Sequence, residues 1–232
     1  MAKLDTNASL LQNFSGRVRL FPLPNLVLFP HTVQALHIFE PRYLEMVEEA
    51  LISDQFIAPV WLQPGWEHSY DGRPPVAPVA CLGRIVSHHK LPDGTINLLL
   101  QGMARAAIRR ELPITRTFRQ AEVDLLEDFY PSSGAARRHQ LQHALIDLTR
   151  DLLPQRDVLN EQFDELLASP GSLGLMTDVL AFGLTIPLNM RQQLLADWNV
   201  DRRARFLIEK LKAVQLASPT AGPPYLPPFS LN

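Results

Sequence analysis

The sequence predicts an α+β protein, with a β-rich first half and a helical second half. Two observations carry that expectation. Up to about Leu126 the apolar residues fall in short, consecutive runs with the period of a half-buried strand. After Tyr130-Pro131-Ser132-Ser133-Gly134 the period becomes helical. Short strands in succession favour a mostly antiparallel, curled sheet over alternating βαβ units.

The first strand is Arg17-Val18-Arg19-Leu20-Phe21, where apolar residues alternate. Pro22, Pro24 and Pro30 then interrupt ladder pairing and imply an extended, turning segment. Val33 to Ile38 reads as a second strand. Glu40-Pro41 opens a helix, because proline needs no N–H partner in the first turn. Tyr43, Leu44, Val47 and Leu51 recur on one face of it, with Glu45, Glu48 and Glu49 on the other. Phe56 to Leu62 is a strand, and Gln63 to Pro78, with four prolines and two glycines, is a long loop. Val79 to His88 and Thr95 to Leu100 flank Leu91-Pro92-Asp93-Gly94, a turn in which proline presets one dihedral and Asp-Gly tolerates positive φ. Met103 to Arg110 and Phe118 to Leu126 complete the β half.

In the second half, Leu141, Leu145, Leu148 and Leu152 share one helical face. Phe163 and Leu166 begin another helix. Leu173 to Phe182 is apolar on most sides, as for a central helix of a bundle. Pro187 starts a further helix carrying Leu194 and Leu195. The last, from about Asp201, aligns Leu207, Leu211 and Val214. Pro219 to Asn232 holds five prolines and no periodicity, the composition of a flexible tail. The expected divisions are therefore residues 13–130 (β), 131–217 (helical bundle) and 218–232 (tail).

Composition narrows the function. The 22 basic and 24 acidic residues of the 232 nearly cancel, giving a net charge of -2 and no electrostatic case for nucleic acid or an anionic membrane surface. The single cysteine, Cys81, excludes an internal disulfide and a multi-cysteine zinc site. No run approaches the roughly 18 apolar residues of a membrane span, and the N-terminal residues lack a signal-peptide core. The expected setting is the cytoplasm.

The ordered set Phe21-Pro22-Leu23-Pro24-Asn25-Leu26-Val27-Leu28-Phe29-Pro30, His37-Ile38-Phe39-Glu40-Pro41-Arg42-Tyr43, Arg84-Ile85-Val86, Leu91-Pro92-Asp93-Gly94, Leu98-Leu99-Leu100-Gln101-Gly102 and Ala121-Glu122-Val123 resembles the substrate-binding N-terminal domain of Lon proteases. Leu194-Leu195 followed by Arg202 to Leu211 is similar to the final helices of that family. The resemblance covers about Arg17 to Val214. It implies a PUA-like, six-stranded β subdomain with one helix, followed by a helical bundle. It also implies a non-catalytic, free-standing module. The leading reading is recognition of exposed apolar or unfolded protein segments, either delivering them to a separate ATP-dependent protease or acting as a regulator, between which the sequence does not choose. In two places the sequence departs from the family pattern. His31 stands where glycine is usual, and Ala80-Cys81 where Gly-Thr is common; both positions shape local backbone.

The residues offer little chemistry of their own. The lysines are Lys3, Lys90, Lys210 and Lys212, and none follows a glycine as a phosphate-binding loop requires. Gly171-Ser172-Leu173-Gly174 lacks the lysine. His88-His89 at a strand end point to opposite faces. His139 and His143 share a helix face without a third ligand of diagnostic spacing. Cys81 has no surrounding motif and reads as a small buried hydrophobe. Glu40 reads as an electrostatic helix cap and Arg42 as half of a structural ion pair. Glu127-Asp128, Arg109-Arg110 and Arg137-Arg138 read as solvated charge. No cofactor, no metal and no catalytic residue is expected. The candidate protein-binding residues are Trp61, Trp66, His68 and Tyr70, on or beside the long loop. Tryptophan and tyrosine supply contact area with little side-chain entropy to lose. Trp66 either presents that area or folds back to plug an end of the sheet. Two rivals stand beside this reading: a structural partner of one folded protein, and an uncharacterised hydrolase.

Overall fold

The computed structural model describes residues 11–12, 14–69, 72–152 and 173–217. It divides into two units, one ending at Leu126 and the other starting at Glu127. The helix expected around Phe163 and Leu166, and the proline-rich tail at 218–232, lie outside the described residues.

Strand β1 (Arg17–Leu23) is buried on both faces after its first residue. Val18 and Leu20 enter an apolar cluster with Phe56, Ala58, Val60, Leu82, Met103 and Val123. Phe21 packs on Tyr43 of helix α1 (Pro41–Leu51), ring centroids 4.6 Å apart. Arg19 stays buried because it is fully engaged. Its guanidinium donates to Glu49 (2.9 Å), Asp54 (2.7 Å), Ser53 (2.7 Å) and the Phe56 carbonyl (3.1 Å). The N-cap residue of α1, Glu40, makes no side-chain cap bond; its carboxylate pairs with Arg42 at 2.8 Å instead.

The other strands are β2 (Val33–Ile38), β3 (Phe56–Trp61), β4 (Val79–Lys90), β5 (Ile96–Glu111) and β6 (Arg119–Leu126). The order is β2-β5-β4-β3-β1-β6, and β5 also pairs with β6, so five strands close into a ring. Only the β1–β3 pair is parallel. Closure leaves those five strands without a free edge, while β2, paired only with β5 among the described residues, lies outside the ring.

The segments Thr95 to Leu100 and Met103 to Arg110, expected as separate strands, are one 16-residue strand. Its edge is shared: β2 pairs along Ile96–Gln101, and β6 along Arg105–Glu111. Gly102 sits at the handover, and it marks a close approach rather than a break. A Cβ there would lie 2.0 Å from the Phe29 carbonyl oxygen. The Gly102 amide donates to Thr32 O (2.8 Å), and its carbonyl accepts from the His31 amide (2.9 Å).

That contact depends on a turn at Phe29-Pro30-His31-Thr32. The Thr32 amide and hydroxyl both donate to the Phe29 carbonyl, at 3.4 and 2.7 Å. His31 has φ +67°. Proline followed by a residue of positive φ is the pattern of a type II turn, whose third position favours glycine. Histidine therefore holds here the conformation that glycine would adopt freely. The β4–β5 turn follows its expected chemistry: Gly94 has φ +89°, and Asp93 accepts from the Thr95 hydroxyl (2.7 Å) and amide (3.0 Å). The Thr95 hydroxyl, then its amide, hold the Asp93 carboxyl below the usual carboxylate range.

The second unit contains α2 (Arg138–Leu152), α3 (Leu173–Gly183), α4 (Leu188–Ala196) and α5 (Val200–Ala217). Leu145, Leu180, Leu194, Leu195, Leu207 and Leu211 are buried. Two charge expectations are corrected in this unit. Asp128 is engaged and only partly exposed: it accepts two bonds, 2.8 and 2.9 Å, from Arg203, whose side chain is 0% exposed. Arg203 also donates to Thr177 (3.1 Å) and the Asp197 carbonyl (3.1 Å), and lies 3.7 Å from buried Asp178. Arg138 is likewise engaged, donating to buried Asp201 at 2.8 Å. Helical periodicity places Arg203 on α5 but does not show that a strand-end aspartate will meet it. The other basic pair, Arg109-Arg110, is exposed as expected and bridges to Asp124 and Glu122.

Candidate functional site

Three surfaces of the β unit are candidates, and the strand order sets the first. Among the described residues β2 pairs only with β5, so its outer edge is open. The face beside that edge is apolar and exposed. Val33 is 51% exposed and shares a face of β2 with Ala35, which pairs with Leu99 of β5, itself 41% exposed. His37 on the same face bonds Asn97 across the ladder at 2.7 Å and stacks on Phe39, whose ring is 45% exposed. One carbonyl of the strand, that of Ala35, is met by the Gln34 side-chain amide at 2.7 Å.

The second surface is the long loop. Its legs are zipped together at the base by Gln63 N–H to Pro75 O (2.9 Å) and Ala77 N–H to Trp61 O (2.9 Å). Trp61 is half-buried against the apolar cluster, and its indole donates to Pro24 O at 3.0 Å, which anchors the first leg. Trp66 is half-buried at the start of a 3-10 turn, Trp66–Ser69, and His68 in that turn is exposed. Tyr70 lies outside the described residues.

The third surface is a cavity of about 320 Å³ that sequence reasoning missed. β1 contributes Pro22 and α1 contributes Arg42 and Tyr43. The end of the long loop contributes Gly72, Arg73 and Pro74, and the segment entering β6 contributes Ile114 and Arg116 to Arg119. Trp61, Trp66 and His68 do not line it. Its apolar surface comes from Pro22, Tyr43, Leu62 and Phe118, the last three almost fully buried, with exposed Ile114 beside them. Its polar surface is four guanidiniums, each held from behind. Arg42 pairs with Glu40 and lies 4.6 Å from the Tyr43 ring centroid. Arg116 pairs with Glu49 at 3.0 Å. Arg119 bonds Glu111 and the Pro74 carbonyl (both 2.8 Å), while Arg73 donates to Leu112 O at 3.2 Å. Arg42 and Arg73 are far in sequence from Arg116 and Arg119, so no spacing signals the set. The only local sign is Thr115-Arg116-Thr117-Phe118-Arg119, a run mixing guanidinium with aromatic surface.

The remaining candidates bring little together. His88 and His89 are both exposed on β4. His139 and His143 approach at 2.9 Å between Nε2 atoms on the exposed face of α2, but no group of three or more ligating side chains forms among the described residues. Cys81 is buried. No helix among the described residues is long and apolar enough to cross a membrane.

Comparison with known proteins agrees with this architecture. The Lon N-terminal domain protein from Xanthomonas campestris superposes with a TM-score of 0.59 at 22% identity, covering 83% of this chain and 97% of that one. The N-terminal domain of the Mycobacterium avium complex Lon protease gives 0.64 at 14% identity, covering 84% and 98%. In sequence, Lon proteases of Roseiflexus castenholzii and Heliobacterium modesticaldum are 26% and 27% identical over 83% of this chain. The matches span 23% of those proteases, about a quarter of their length. The model of the ATP-dependent protease La (LON) substrate-binding domain matches residues 17–213, and the protein belongs to that family.

Proposed function

We propose that this domain is a non-catalytic recognition module that holds exposed apolar or unfolded segments of other proteins. It would act as an adaptor or regulator of ATP-dependent proteolysis. The observation that carries the reading is the open edge of β2 beside the exposed apolar face of Val33 and Leu99. An extended segment adding to that edge gains main-chain hydrogen bonds of no sequence preference, while its side chains reach an apolar surface. Such a site is permissive, as recognition of many unfolded clients requires. Ordering a flexible client offsets much of the contact energy, so affinity is about micromolar. Membership of a substrate-binding family supports the reading. Trp66, His68 and Tyr70 are proposed as further contact residues on the loop, and Trp61, whose indole donates to Pro24 O, anchors its base.

The test measures binding of a labelled, permanently unfolded model protein by fluorescence anisotropy. The pair Val33→Asp and Leu99→Asp weakens binding at least tenfold while the thermal midpoint stays nearly constant, since surface changes cost about 0.5 kcal/mol or less. Trp66→Ala produces a smaller loss. Undiminished binding in all these variants ends the proposal. So does tight stoichiometric binding to one folded protein without binding to the unfolded probe.

A further inference from the structure

The arginine-lined cavity is unexplained by main-chain pairing at β2. An apolar client segment needs no cation, yet four guanidinium groups converge on one space, from Arg119 at 10% side-chain exposure to Arg116 at 53%. We propose that the cavity is an anchor for a peptide carboxylate flanked by an apolar side chain, either a free C-terminus or an internal Asp or Glu. The inference rests on the recognition reading and names the chemistry that one end of a bound segment supplies.

Shape comes first. A cavity of about 320 Å³ lies at the small end of ligand sites, roughly 300–1,000 Å³, and takes one or two residues rather than an extended segment. Its apolar surface, from Pro22, Leu62 and Phe118, suits an aliphatic or aromatic side chain. Its position also fits. A small depression lined by Leu36 to Glu40 shares Tyr43 with the cavity, so one residue lines both it and the C-terminal end of β2.

Charge then selects the anion. Arg42, Arg73, Arg116 and Arg119 line the cavity, and no carboxylate does. Glu40, Glu49 and Glu111 pair with them, and Glu45 accepts from the Thr117 hydroxyl at 2.5 Å. Glu49 is shared with Arg19, which also pairs with Asp54. Four cations against the four neighbouring acids Glu40, Glu45, Glu49 and Glu111 leave the cluster near neutral. Such a site suits one monoanion received by guanidinium forks, whose planar donors match a carboxylate. It disfavours a phosphate dianion or a nucleic-acid backbone, which need a net excess of positive charge.

The experiment uses the full-length protein and three fluorescent peptides of the same apolar sequence: one ending in a free carboxylate, one amidated, and one amidated with an internal Glu. The free acid or the Glu peptide is expected to bind at least tenfold more tightly than the neutral peptide, and which of the two does so identifies the carboxylate source. Arg116→Gln and Arg73→Gln, whose side chains are 53% and 33% exposed, are expected to erase most of that difference without lowering neutral-peptide binding. Equal binding of all three peptides by the unaltered protein overturns the inference and requires no variant to fold. Tighter binding of a phosphopeptide or an RNA oligomer than of the free acid overturns it too. Loss of unfolded-protein binding in the Val33→Asp/Leu99→Asp variant, with the carboxylate difference intact, supports both readings separately. A carboxylate preference in a protein that never binds unfolded clients supports the anchor and removes the recognition reading.

Discussion

The two units each depend on one residue of opposite character. In the β unit it is Gly102, which has no side chain, so that the Phe29-Pro30-His31-Thr32 turn can lie on β5 where the strand passes from β2 to β6. In the helical unit it is Arg203, a long side chain with no exposure, which ties Asp128, Thr177 of α3 and the Asp197 carbonyl to α5. The first is a constraint of space and the second a constraint of charge. Space is forgiving when a neighbouring side chain can turn aside and unforgiving when the neighbour is backbone. Charge is unforgiving wherever the partner stays buried.

The comparison is broken most severely at Arg203. Arg203→Met keeps the volume but strands Asp128 and buried Asp178 without their cation. Removing one member of a buried pair costs about 3–5 kcal/mol. For a protein of this size that lowers the thermal midpoint by on the order of 10 °C, read from the helical circular-dichroism signal. Adding Asp128→Leu recovers part of the loss, because an apolar pair is tolerated better than half of an ionic one. If the single variant costs no more than a surface substitution, the cluster is not what holds these helices. Gly174 depends on the same cluster. A Cβ there would lie 2.2 Å from Asp128 Oδ2 and 2.7 Å from the Tyr130 hydroxyl. Desolvation, then the Asp128 charge, push the Tyr130 phenol above its usual range.

Gly102→Ala comes next. The added methyl meets a main-chain oxygen that cannot rotate away, so the strand or the turn must move, at a cost of about 2–3 kcal/mol. Gly83 is the control. The nearest atoms its Cβ would meet belong to the Leu100 side chain, at 2.7 Å, which has other rotamers. Denaturant midpoints of the two variants sharpen the distinction: Gly83→Ala should lose clearly less than Gly102→Ala. Equal losses would show that rotamer freedom in the core is as restricted as the backbone.

What is legible in the sequence divides along the same line. Apolar alternation over Arg17 to Phe21, proline at the start of α1 and Asp-Gly in the β4–β5 turn act locally, within a few residues, so these elements can be read directly. β5 reads as two strands divided near Gly102 because glycine punctuates more often than it permits contact, and the difference lies in Phe29, far away in sequence. Asp128 and Arg138 read as solvated because their partners, Arg203 and Asp201, are 75 and 63 residues away. The cavity escapes for that reason as well. Arg42, Arg73, Arg116 and Arg119 converge only after the ring closes. Trp61, by contrast, stands out in the sequence as a candidate contact residue, and its indole turns inward to Pro24.

The smallest expected effect tests the other member of the Gly102 contact. His31 occupies left-handed space at φ +67°, a conformation costing a non-glycine residue roughly 1–2 kcal/mol. Histidine is among the residues that tolerate it, which places this case at the lower end. His31→Gly removes that strain and keeps the amide that donates to Gly102 O at 2.9 Å. Against the gain stands the larger entropy that glycine loses on folding, about 0.5–1 kcal/mol. The difference predicts a stabilisation of a few tenths of a kcal/mol, rising to about 1 kcal/mol at most. His31→Ala keeps the strain and removes the imidazole, so it should be neutral or destabilising. Midpoints ordered Gly above His above or equal to Ala mark the turn as a strained copy of a proline–glycine turn. The reverse order would show that the imidazole makes a contact worth more than the backbone strain it brings.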